Sequence, residues 1–254
     1  MSLLAVERLS KTFGGLRAVD GVSFAVAEGA IKAVIGPNGA GKTTLFNLVF
    51  GSIVPDQGRV VFAGSELRVG GPHRRVEAGM ARTFQHIRLF PQMTALENVM
   101  VGRHTQSRAG FLAGLLPLPW TWREEREIRD ESLAVMKFLG IDALASCDAT
   151  HLAYGEQRSV ELARALASKP KLLLLDEPAA GLNMRETADL ARLITRIRQS
   201  GVTVLLVEHD MGLVMGISDE IVVLCQGQKI AEDKPLGIQK NPDVVRAYLG
   251  EDDG

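Results

Sequence analysis

The stretch GPNGAGKTT, residues 36–44, sets Gly36, Gly41, Lys42 and Thr43 at the spacing G-x-x-x-x-G-K-[ST]. Glycines let backbone N–H groups curl around phosphate oxygens with no Cβ in the way. A helix opening at Gly41 adds the positive end of its dipole. Lys42 brings charge to β- and γ-phosphates, and the Thr43 hydroxyl is a ligand for Mg²⁺. Asn38, Gly39 and Thr44 complete the loop on the phosphate side. A second group ends the apolar run KLLLLDEP, residues 171–178. There Asp176 is placed to hold Mg²⁺, directly or through water, opposite Thr43. Glu177, one residue on, is the candidate general base for a water in line with the γ-phosphate. His209 closes the run VLLVEHD, where an imidazole can donate to the γ-phosphate or serve as a hydrogen-bonded structural residue. In ARTFQHIRLFPQM, Gln85 carries an amide oxygen suited to the Mg²⁺ shell or the attacking water. Nothing in the spacing supports its neighbour His86.

These residues act together only if the elements carrying them end at one edge. IKAVIG (31–36), KLLLLDE (171–177) and VTVLLVEHD (202–210) are continuous apolar runs, the pattern of strands covered on both faces in a parallel sheet. Gly36, Asp176 and His209 then leave their strands at the same carboxyl edge, where α/β sheets bind ligands. AVERL, VSFAV and GRVVFAG, punctuated by glycine, predict a small antiparallel sheet. In MRETADLARLITRIRQSG, Leu190, Leu193, Ile194 and Ile197 recur at helical spacing and Gly201 stops the run, which predicts an amphipathic crossover helix. Over about residues 88–168 helical patterns replace strand patterns. A helical lobe is therefore expected as an insertion between two strands of one α/β domain spanning residues 1–254.

Bulk properties narrow the function classes. The 254 residues carry 29 Lys and Arg against 30 Asp and Glu, so nothing suggests the positive field of a nucleic-acid binder. Two distant cysteines, Cys147 and Cys225, form no disulfide framework and no metal-ligand cluster, and are expected as reduced thiols. MSLLAVERLSKTF lacks the pattern of a secretory signal. FLAGLLPLPW, residues 111–120, is about half the length of a spanning helix and is broken by Pro117 and Pro119. A cytoplasmic chain is expected.

The ordered motifs resemble the ATP-binding cassette (ABC) family over essentially the whole chain. GPNGAGKTT matches its phosphate loop, RTFQHIRLF its glutamine loop, LAYGEQ its signature, KLLLLDEP its second nucleotide motif, AAGLN its D-loop and VEHD its histidine switch. The resemblance implies an α/β fold of the P-loop NTPase (RecA-like) kind, with a parallel sheet, a small antiparallel β subdomain and an inserted α-helical subdomain. It implies ATP and Mg²⁺ as ligands and Phe13, in KTFGG, as the aromatic that stacks on adenine; the other reading of Phe13 is a core aromatic. It further implies a head-to-tail pair of ATPase subunits. The signature of one, here Ala153 and Gly155, and its D-loop residue Asn183 then face the nucleotide held by the other.

RTFQHIRLF, LAYGEQR, DEPAAGLN, EHDMGLVMGISD and NPDVVRAYLGE look most like importer ATPases for branched-chain and other hydrophobic amino acids. Those systems use two ATPases, two permeases and an external binding protein, which places this chain peripherally on the cytoplasmic face of the inner membrane. The insertion around residues 103–122, with Trp122, also looks like that group. It is read either as a permease-facing segment or as a local hydrophobic cluster. Alternatives within the fold are the ATPase of a lipid or lipopolysaccharide exporter, or of a urea or amide importer. Outside transport they are a soluble cassette protein of translation or repair, or a nucleotide-binding regulator without catalysis, which Glu177 opposes.

Three positions depart from the common pattern. Ala153 stands where the signature has serine, Ser159 where it has arginine, and Asn183 where the D-loop ends in aspartate. Loss of the serine hydroxyl removes a donor worth about 1.5–3 kcal/mol to a charged acceptor, while the Gly155 N–H and the helix dipole remain. Glu156, in the first turn, is expected to turn away from the phosphate.

Overall fold

The computed structural model describes residues 2–67, 70–83, 87–104 and 119–249. In chain order the first elements are β1 (Ser2–Phe13), β2 (Leu16–Ala27), β3 (Ile31–Ile35), α1 (Lys42–Val49), β4 (Gln57–Phe62), β5 (Ser65–Glu66), α2 (Gly71–Glu77) and β6 (Met80–Arg82). Next come α3 (Ala95–His104), α4 (Pro119–Leu139), α5 (Tyr154–Ala167), β7 (Leu172–Asp176), α6 (Met184–Gln199) and β8 (Thr203–Val207). The chain ends in α7 (Met211–Ile217), β9 (Glu220–Cys225), β10 (Gln228–Asp233), α8 (Pro235–Lys240) and α9 (Pro242–Leu249). They form two compact units, one of residues 1–82 with 171–254 and one of residues 83–170.

The first unit holds both sheets. β2-β1-β4-β5 is antiparallel, and β2 turns Val19, Val22, Phe24 and Val26 inward along one face. The second sheet runs β10-β9-β3-β8-β7-β6, parallel from β9 to β6, with β10 antiparallel at its edge. β3, β7 and β8 are buried at every position, as the unbroken apolar runs require. Asp176 and Val34 both pair with Val207, so the three strands end level and their following loops share one edge. Leu45, Phe46, Leu48 and Val49 of α1 join one apolar cluster with residues of both sheets. α6 makes the β7-to-β8 crossover with Ile194 and Ile197 buried, and Leu190 and Leu193 half-buried.

Three strands of this sheet were not expected from sequence. β6 is three residues long, too short for a period. β9 and β10 form a hairpin whose polar outer strand hides the alternation. That hairpin matters: the Gly227 N–H in its turn donates to the Ala40 carbonyl of the phosphate loop, and its carbonyl accepts from Asp20 N–H.

In the second unit α3 packs against α4 and α5. A Cβ at Gly102 would overlap the Arg164 carbonyl, so glycine sets the approach of α3 to α5. Buried Asn98 ties the turn before α3, accepting from Phe90 N–H at 2.8 Å and donating to Phe90 O and Thr94 O. Glu131 of α4 pairs with Arg103 at 2.5 Å and Lys169 at 2.7 Å. Most of FLAGLLPLPW, the side chain of Trp122, and Gln85 with His86 lie outside the described residues.

Candidate functional site

The phosphate loop follows β3 directly. Gly36 has φ +151°, and a Cβ there would overlap the Leu224 carbonyl; Gly41 has φ +96°, and its Cβ would overlap the Ala18 carbonyl. Neither place admits a side chain, so the backbone alone shapes the loop. Asn38, Gly39 and Thr43 form its exposed side, with Thr44 half-buried beside them. Gly41 is the N-cap of α1, which has no side-chain cap and no acid in its first turn. The other helix starts nearby differ: Asn183 and Asp210 cap α6 and α7 through their side chains. The amides of α1 thus keep their donors for an anion. Lys42 is buried, and its ammonium donates to Gly36 O at 2.6 Å and Pro37 O at 2.8 Å, which holds it over the loop.

Asp176 is the last residue of β7, with its side chain only 5% exposed. Its Oδ2 accepts from Arg82 Nη2 at 2.7 Å, which fixes the carboxylate and leaves Oδ1 for a ligand. Arg82 also donates to Asn47 Oδ1 at 2.7 Å, and its guanidinium lies 5.9 Å from the Phe46 ring and 5.8 Å from the Phe50 ring. Arg82 and Asn47 were not identified from sequence, although Arg82 stands inside RTFQHIRLF. The available signal was a cation closing an apolar stretch, which matters only once β6 is known to lie beside β7. A Thr43 hydroxyl and an Asp176 carboxylate are hard oxygen donors, the set that Mg²⁺ takes together with phosphate oxygens.

Glu177 has φ +48°, an uncommon conformation for a residue with a Cβ, and its N–H donates to Val207 O at 2.9 Å. The twist turns the residue out of the strand line at the sheet edge. His209 follows β8 by two residues, its side chain 65% exposed. The structure thus brings Gly36, Lys42, Thr43, Asp176, Glu177 and His209 to the carboxyl edge of one sheet. Phe13 ends β1, is 45% exposed and has Lys11 Nζ 5.6 Å from its ring centroid, so it is no core aromatic.

In the second unit, Ala153 is the N-cap of α5, and its methyl side chain offers no acceptor to the first-turn amides. Glu156 Oε2 accepts from the Ala153 N–H at 2.8 Å, so its carboxylate bends back onto the helix start. Gly155 is half-buried, and Ser159 Oγ donates to Gly155 O at 3.0 Å within the helix. Asn183, in the first unit, spends its Oδ1 on the N–H groups of Arg185 and Glu186, both at 3.0 Å, while Glu186 accepts from Asn183 N–H. That is a complete capping box.

Residues 19–180 match the model of the ABC transporter family, and residues 228–254 match that of the branched-chain amino acid ATP-binding cassette transporter. The chain belongs to the ABC transporter family. Its ATP-hydrolysing cassette has the expected P-loop NTPase fold. The chain is 47% identical to a high-affinity branched-chain amino acid transport ATP-binding protein, BraF, of Pseudomonas aeruginosa, across 98% of both chains. It is 45% identical to LivG of Escherichia coli, which carries the same description, again across 98% of both. Among solved structures it resembles an ATP-binding cassette of an ABC transporter in its ADP conformation, with a TM-score of 0.86, 31% identity, and coverage of 98% of this chain and 99% of that one. A nucleotide-free cassette gives 0.85 at the same identity and coverage.

Proposed function

We propose that this cassette is the ATP-binding and ATP-hydrolysing subunit of an importer for branched-chain or other hydrophobic amino acids. The observation that carries the cargo is the match of the C-terminal segment 228–254 to a family model specific to branched-chain amino acid cassettes, joined to near-complete coverage by BraF and LivG. The substrate ATP is held by Gly36, Asn38, Gly39, Gly41, Lys42, Thr43 and Thr44 around its phosphates, with Phe13 stacked on the adenine. Thr43, Asp176 and Gln85 would hold Mg²⁺, which when bound neutralises charge on the β- and γ-phosphate oxygens. Arg82 keeps Asp176 in place for that role.

Glu177 takes a proton from water as the water oxygen bonds to the γ-phosphorus and the bond to the ADP oxygen breaks. His209 donates to the γ-phosphoryl oxygens, and Gln85 reports nucleotide state to the helical lobe. Ala153, Gly155 and Asn183 face the nucleotide of a second ATPase subunit, with backbone amides in place of the serine donor.

The partners are that second subunit, permease subunits in the membrane and, through them, an extracytoplasmic binding protein. No helix among the described residues is long and apolar enough to cross a membrane. The importer reading itself puts the cassette peripherally at the cytoplasmic face, where ATP is supplied. The test is reconstitution with copurified permeases in liposomes. Uptake of radiolabelled leucine, driven by internal Mg-ATP and by the cognate binding protein, is expected. ATPase stimulation by urea, short amides or lipopolysaccharide with no response to branched-chain amino acids would overturn the cargo.

A further inference from the structure

The carboxylate of Glu208 lies between the two loops that leave β7 and β8. It is wholly buried, with a relative exposure of 0%. Its Oε1 accepts from Ala179 N–H at 2.7 Å, and its Oε2 accepts from His209 N–H at 3.0 Å and Asp210 N–H at 3.3 Å. A buried carboxylate without a lysine or arginine partner is costly unless hydrogen bonds satisfy it. Among the described residues the one ionisable group paired with it is the His209 ring, with Nδ1 at 3.7 Å.

Two of the three donors belong to its own loop, while Ala179 comes from the other strand's loop, 29 positions earlier. Capping of α7 does not require Glu208, because Asp210 Oδ1 already accepts from Leu213 N–H at 2.9 Å. A second strap lies alongside, the Glu177 N–H donating to Val207 O. The ladder between β7 and β8 ends at Asp176 and Val207, and the Glu208 side chain prolongs it past the strands.

We infer that Glu208 is a positioning residue that locks the segment following the base Glu177 to the backbone of His209, so that the two loops move as one body. The inference rests on the reading of Glu177 and His209 as groups acting at the γ-phosphate. Displacement of residues 179–183 by a second subunit is then delivered to His209 through one carboxylate. A glutamine in its place has one carbonyl oxygen and one NH₂, so either Ala179 or the pair His209 and Asp210 meets a donor where it had an acceptor.

The experiment uses the full chain with Mg-ATP. Glu208→Gln is expected to lower kcat about tenfold or more while KM for ATP stays within about twofold. Melting temperature should fall by roughly 2–12 °C, since one buried backbone group loses its acceptor, and Glu208→Asp should recover part of the rate. Adding His209→Ala to Glu208→Gln should cost less than it does in the parent, since both act through one group. Parent-like kcat in Glu208→Gln, with His209→Ala impaired, overturns the inference and leaves the site reading standing. A fall in melting temperature with kcat and KM worsening together also overturns it, by assigning Glu208 to the fold alone. Full turnover in His209→Ala removes the site reading and the inference with it. Amide hydrogen exchange on the unmutated chain makes the test independent of any variant's folding. Peptides covering 178–183 and 208–212 should change protection together on adding Mg-ATP, and independent changes refute the lock.

Discussion

Arg82→Met separates a structural cation from its carboxylate and has a calculable consequence. Arg82 and Asp176 are each 5% exposed at the side chain and 2.7 Å apart, and the guanidinium also serves Asn47 Oδ1 and rests against two phenylalanine rings. Methionine keeps most of the aliphatic stem against Phe46 and Phe50 but leaves Asp176 buried without its cation. Removing one partner of a buried pair costs about 3–5 kcal/mol, a large part of the roughly 5–15 kcal/mol that holds a domain folded. At about 2–4 °C per kcal/mol for a chain of this size, the melting temperature should fall by roughly 6–20 °C.

A double-mutant cycle isolates the cause. Asp176→Asn removes the charge that Arg82 neutralises, so Arg82→Met in that background should cost at least about 2 kcal/mol less than in the parent. The assay is thermal and urea unfolding of all four proteins, followed by circular dichroism in nucleotide-free buffer. Additive costs, within about 0.5 kcal/mol, would refute the pairing as the source of stability.

Other perturbations give equally definite outcomes. Lys42→Ala should weaken ATP binding, since it removes the cation held over the phosphate loop; an unchanged ATP titration would contradict the assignment of that loop. Ala153→Ser should supply the missing N-cap acceptor opposite Glu156 and stabilise α5 by about 0.5–2 kcal/mol, seen as higher melting of the helical unit, and no gain would mean the helix start is set otherwise. Lys32, 3% exposed at the side chain, pairs with Glu232 at 2.5 Å and Glu220 at 2.8 Å. Burial pushes the Glu232 carboxyl up, but hydrogen bonds from Lys229 and Lys32 prevail and hold it below its ordinary 4.5. A carboxyl depressed on folding stabilises above its unfolded value and loses that contribution as pH falls through its folded one. Lys32→Met should therefore cost roughly 1–3 kcal/mol at pH 7, with the gap to the parent narrowing below pH 4.5; a gap constant to pH 3 in urea titrations would refute the linkage.

The site was legible in sequence wherever chemistry and chain order coincide. Gly36 to Thr44 form a local motif, and Asp176, Glu177 and His209 each close an apolar run long enough to be read as a buried strand. Residues whose roles come from neighbours distant in sequence were not legible. Arg82 matters because three residues of β6 pair with β7 although residues 83–171 intervene in sequence, and Glu208 because its carboxylate crosses to Ala179. The hairpin of β9 and β10 was missed for a similar reason: its outer strand is polar, and it meets the phosphate loop through backbone groups, the Leu224 carbonyl and the Gly227 N–H. Asn183 reads as a nucleotide-facing D-loop residue by resemblance, whereas its side-chain oxygen caps α6, a role visible in Asn183 followed three residues on by Glu186.

The central claim is that the sheet edge bearing the phosphate loop and Glu177 binds and hydrolyses ATP. Its most direct test measures Mg-ATP affinity and single-turnover hydrolysis side by side in the parent chain and in Glu177→Gln. The account expects affinity within about threefold of the parent and hydrolysis reduced by about 10²-fold or more. Hydrolysis near the parent rate in Glu177→Gln would contradict it.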